Sequence, residues 1–229
     1  METNYLLIVT AVLFLVLTIR GYRKGFLRIA VYFAGLIFVV IVAKRVSPYV
    51  SSYLMNNTSA YSTIQNNISE KFKEKNLARD NSELENQIIT INSYELPDIL
   101  KDSLIKNNTK EMYSNLLVSF FEEYVSAYLA KTAVSAMSFL LTVVLFWISF
   151  RILLVIVDIV GRIPIIKGIN KFAGAIIGFA ESVIIMWIFF FVVIVFIGNE
   201  FGAMMLSMVE RSAFLGLLFN SNILFTMIK

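Results

Sequence analysis

The sequence predicts an all-α integral membrane protein. It should have about four transmembrane helices, a long extracytoplasmic loop between the second and third, and an amphipathic helix at its C-terminal end. Three observations carry this. Hydrophobic residues make up 58% of the chain and charged residues 16%, whereas a soluble domain is about half apolar and a quarter charged. Four stretches carry no charge: Thr3–Ile19, Ile29–Ala43, Thr132–Phe150 and Ser182–Asn199. A polar block separates the second from the third.

A bilayer core takes about 20 apolar residues per helix. Residues 1–45 therefore hold helices 1 and 2, joined by a basic hairpin, Arg20-Gly21-Tyr22-Arg23-Lys24-Gly25-Phe26. The second stretch is short, but Arg28, Lys44 and Arg45 at its ends can snorkel to the interfaces. The first stretch has no basic residue before it and no small-x-small cleavage site after it, and is read as a retained helix.

Residues 46–130 contain 11 acidic and seven basic residues with many Asn and Ser, which marks a water-facing region. One helix is expected from Leu96-Pro97-Asp98, with Leu100 and Leu104 following at i, i+4. Another is expected from about Lys110 to Lys131. Its apolar face is Leu117, Phe120, Phe121, Tyr124 and Tyr128, continuing into helix 3. Residues 56–93 bury little and read as a loose helix or disorder. Residues 131–200 hold helices 3 and 4. Residues 201–229 are read as an amphipathic or re-entrant helix, with a fifth span as the alternative, because Asn220, Ser221 and Asn222 interrupt the apolar run from Arg211 to Lys229.

Lys and Arg in short loops set orientation. Arg20, Arg23, Lys24 and Arg28 lie in the first loop, and Arg151, Arg162, Lys167 and Lys171 in the third. Only Lys44, Arg45 and Lys131 flank the long loop. The first and third loops should face the cytoplasm, with both termini and the long loop outside.

The composition also removes functions. There is no Cys and no His, so disulfides, thiolate metal sites and His-based catalysis are out of reach. No cofactor, metal or nucleic-acid site is expected, and the chain does not read as an enzyme. The candidates that remain are few. Gly174 and Gly178 form a G-x-x-x-G face that lets helices approach closely. Packing within the chain is the reading taken, with a homo-oligomer interface or a substrate path as alternatives. Charges near the bilayer centre cost about 2.5–3.5 kcal/mol each, which singles out Arg151, Asp158 and Glu181. Arg151 and Asp158 should mark the cytoplasmic end of helix 3, and Arg151 is the expected partner of Glu181.

Two places in the sequence resemble the colicin V production protein family. Arg23-Lys24-Gly25-Phe26-Leu27-Arg28 is similar to the family's Arg-x-Gly-Phe run between its first two spans. Pro164 through Glu181 is similar to its run of Pro, Asp-Arg, Gly and Gly opening the last span, with Gly174 and Gly178 matching. Asn170-Lys171 stands where the family usually has Asp-Arg, and Glu181 where it often has Arg. The resemblance implies a bacterial inner-membrane protein associated with toxin production or export and with envelope homeostasis. A small transporter or channel subunit, and a scaffold that binds an envelope protein partner, are the two competing expectations.

Overall fold

The computed structural model describes residues 4–77, 83–157 and 169–227. The described residues are almost entirely helical, with no strand among them. Four helices are long and apolar enough to cross a membrane: α1 (Tyr5–Lys24), α2 (Phe26–Asn57), α7 (Phe121–Val157) and α8 (Ile169–Val195). Between α2 and α7 lie α3 (Ala60–Leu77), α4 (Leu84–Asn92), α5 (Asp98–Lys106) and α6 (Lys110–Leu116). After α8 come α9 (Glu200–Glu210), α10 (Ala213–Asn220) and a 3-10 helix, Ile223–Met227.

The bundle is built from two tight pairs. α1 runs against α8, α2 runs along α7, and contacts of α2 and α7 with α8 join the pairs. Its centre is filled by aromatic rings. Phe139 of α7 meets Phe191 of α8 edge-on at 5.0 Å, and Phe191 meets Phe225 at 5.2 Å. The outer faces are also apolar: Val9, Leu15 and Val16 on α1, Phe38 and Ile41 on α2, and Leu145 and Ile148 on α7 are exposed. Apolar residues on both faces of a helix suit a lipid solvent, where the outer face need not be polar.

Charge begins at Lys44 in α2, yet the helix runs on to Asn57 through Pro48. Pro48 removes one helical N–H and is exposed, while Ser47 and Ser51 are buried on another face and Ser51 Oγ lies 3.4 Å from Ser135 Oγ of α7.

The polar region is more ordered than its composition suggests. α3 packs along α7 and buries Ile68 and Phe72. The Tyr61, Ile64, Ile68, Phe72 spacing is a helical stripe that the surrounding Asn, Ser and Lys obscure. Phe72 meets Tyr94 edge-on at 4.6 Å. α5 starts after Pro97 and buries Leu100 and Leu104, the face that its i, i+4 spacing predicts. Tyr124 donates to the Leu104 carbonyl at 2.6 Å and stacks on Tyr113 at 4.9 Å. The Tyr113 phenol is pushed up to about 12, first by burial and then by the Glu122 carboxylate. It therefore stays a neutral donor to Asn108 Oδ1 at 3.0 Å.

The continuous helix expected from Lys110 to Lys131 is broken. α6 ends at Leu117, which adopts a left-handed conformation with φ 55 and is 93% exposed. The Leu117 and Val118 amides return to the Ser114 and Tyr113 carbonyls, which closes the helix end. Phe120 is also exposed; Phe121, Tyr124 and Tyr128 are buried on α7.

The segment from Arg211 onwards is likewise two elements, α10 and the 3-10 helix, and together they bend by 108° from α9. Its polar residues serve turns rather than one wet face. Ser212 Oγ accepts from the Leu215 amide at 3.3 Å, and Asn222 donates to the Trp187 carbonyl at 3.0 Å while accepting from Leu224. Leu215, Phe219 and Phe225 are buried, so this hairpin completes the core.

Candidate functional site

The α1–α8 seam gathers most of the unusual chemistry. α8 presents Gly174 and Gly178, and α1 answers with Leu17 and Gly21. A Cβ on Gly174 would meet the Gly21 carbonyl and sit 3.0 Å from Gly25 C; one on Gly178 would meet the Leu17 carbonyl and sit 3.2 Å from Thr18 Cα. These backbones touch directly, which only glycine permits. Gly25 ends α1 with φ 79, a left-handed value that suits glycine, and its amide returns to the Gly21 carbonyl at 3.0 Å. The two glycines of the basic hairpin and those of α8 thus belong to one packed contact.

Glu181 lies on the same seam, one turn beyond Gly178. It is 6% exposed. Its Oε1 is 3.7 Å from Nη1 of Arg20, whose side chain is 34% exposed. Its Oε2 is buried and has no hydrogen-bond partner among the described residues. Side chains on a helix lean towards its N-terminus. Because α1 and α8 are antiparallel, Arg20 leans inward along the seam and Glu181 leans back to meet it.

Arg151 does not pair with Glu181 as expected. It stands on α7 at the outer surface, with its guanidinium 5.4 Å from the centre of the Tyr32 ring of α2. The i, i+7 spacing to Asp158 and the charge count named Arg151, but spacing within one helix says nothing about which helix faces α8. Arg20 is the nearer cation because the glycines bring α1, not α7, into contact at this level. Lys171 lies 5.7 Å over the Tyr22 ring and Arg23 is exposed. Asp158, Arg162, Lys167 and Pro164 lie outside the described residues. Among the described residues no group of three His, Cys, Asp or Glu side chains is placed to hold a metal.

One end of the bundle collects the remaining polar contacts. Asn4 at the start of α1 donates to the Met208 carbonyl at 2.7 Å. Lys71 of α3 reaches the Ile197 and Asn199 carbonyls after α8. Lys101 of α5 pairs with Glu210 at 3.8 Å, and Asn220 bonds Asp98 at 3.2 Å. The start of α1, the α3–α6 cap and the C-terminal hairpin therefore share one end, opposite the Arg20–Gly25 hairpin.

Four long helices with apolar outer faces, a polar cap at one end and a partly buried ion pair on a glycine seam define a polytopic helical membrane protein. Residues 112–222 match the family model described as Colicin V production protein. This stretch, from α6 to the turn after α10, is similar to that family and takes in Gly174, Gly178 and Glu181. The match covers just under half of the chain and does not include the first-loop motif. No curated protein and no solved structure is significantly similar to the chain.

Proposed function

We propose that the chain is a bacterial cytoplasmic-membrane protein that acts in toxin production or export and in envelope homeostasis. It does so as a scaffold whose outward-facing cap binds an envelope protein. The family match supports a link to colicin V production. The observation that supports a scaffold is the cap itself: α3 to α6 form a folded layer on α7, with Ile68, Ile91, Leu96 and Leu104 fully enclosed. A folded segment that shares the core of the bundle offers a shaped surface, which a solvated linker does not. The aromatic filling around Phe139, Phe190 and Phe191 leaves the bundle centre closed.

A second reading, a small transporter or channel subunit, draws on the buried unpartnered Glu181 Oε2. Complementation separates the two. In cells lacking the chain, toxin release and envelope integrity are scored with two variants that insert normally. One carries charge reversals on the exposed cap residues Lys110 and Glu111; the other is Glu181→Gln. Loss with the cap variant and retention with Glu181→Gln is the scaffold result; the opposite pattern rejects it.

A further inference from the structure

Two hollows lie side by side against α7 and share Lys131 and Ser135. The larger, about 300 Å³, opens between α2 and α7. That volume is at the lower end of small-molecule sites, roughly 300–1,000 Å³. Its polar lining includes Ser47, Ser51, Ser135 and Asn56 with the Lys131 ammonium, and its apolar lining is Pro48, Met55 and Met227. The smaller, about 140 Å³, continues under the cap, where Thr132 and Ser103 face Leu100, Met112 and Phe225. No carboxylate lines either hollow, and Lys131 forms no ion pair among the described residues.

One cation, several hydroxyls and no acid make a site for a single anion, and an ammonium is a point-charge partner for phosphate. The apolar walls call for more than a free ion, since inorganic phosphate would gain nothing from Pro48, Met55 or Met227. Depth points the same way. Lys44 ends the uncharged stretch of α2, and Ser47 to Ser51 lie ~5–10 Å further along the axis at 1.5 Å per residue. A headgroup layer occupies about that distance beyond the hydrocarbon.

We propose that this cleft binds one anionic phospholipid. Its phosphate sits against Lys131 and the Ser51–Ser135 hydroxyls, and its glycerol and upper acyl chain lie along Pro48, Met55 and Met227. This makes α2 and α7 a lipid-binding groove beneath the cap, a role that the family match does not assign.

The test is native mass spectrometry of the full chain in neutral detergent, titrated separately with phosphatidylglycerol, phosphatidylcholine and inorganic phosphate. The native chain should retain one phosphatidylglycerol in preference to phosphatidylcholine. Lys131→Gln should weaken that binding about fivefold, the loss expected for one interfacial cation. Lys131→Arg should keep it, and so should Lys44→Gln, which removes a cation at the edge of the same span. The proposal is overturned if native protein holds both lipids equally, if Lys131→Gln binds as native, or if Lys44→Gln loses as much. Displacement of the lipid by inorganic phosphate at similar concentration would show a phosphate site instead.

Discussion

Glu181 carries its charge into a seam where two backbones touch, and Arg20 is what offsets it. The two ends of this pair are unequal. Arg20 is one-third exposed and can turn back to the hydrated end of α1, while Glu181 is enclosed. Arg20→Gln should therefore leave an enclosed carboxylate without its cation and lower the unfolding temperature. Glu181→Gln should be milder, and the double variant should be more stable than Arg20→Gln alone. Thermal unfolding of the four proteins in one detergent measures this; additive single effects would remove the coupling. Arg151→Gln should leave Glu181→Gln unchanged, since Arg151 lies over Tyr32. The acid was legible in the sequence, because a lone Glu among apolar residues stands out. Its partner was not, because the register of α1 against α8 is a property of the folded pair.

At the scale of the helix, the glycines divide into those that hold a contact and those that do not. A Cβ at Gly178 would strike the Leu17 carbonyl, which is backbone and cannot yield, whereas one at Gly216 would sit 3.7 Å from the Val209 carbonyl. Gly178→Ala should lower the unfolding temperature by separating α1 from α8. Gly216→Ala should raise it, since alanine favours a helix by up to about 1 kcal/mol over glycine. A Gly178→Ala protein as stable as native would show that the seam does not need the contact. The G-x-x-x-G spacing announced this contact, but two other features gave weaker signals. The α3 stripe of Tyr61, Ile64, Ile68 and Phe72 is diluted by Asn, Ser and Lys. The break at Leu117 occurs without Gly or Pro, at a residue with little tendency to adopt φ 55. The turn there accompanies the stacking of Tyr113 on Tyr124.

Across the whole molecule, the four spanning helices were legible because uncharged length is a coarse signal that survives errors in helix ends. The C-terminal fold was not, since its polar residues look alike whether they face water or close turns. The molecule has two unlike ends: the Arg20–Gly25 hairpin at one, the cap with the start of α1 and the C-terminal hairpin at the other. The scaffold account requires the cap end to face outwards, as the eight Lys and Arg of the two short loops predict. The native chain has no Cys, so single cysteines report without background. Asn66 is exposed on α3 and Tyr22 is exposed within the hairpin. In intact cells an impermeant thiol reagent should label Asn66→Cys and leave Tyr22→Cys untouched until the membrane is opened. Labelling of Tyr22→Cys with Asn66→Cys protected would place the cap in the cytoplasm and contradict the account.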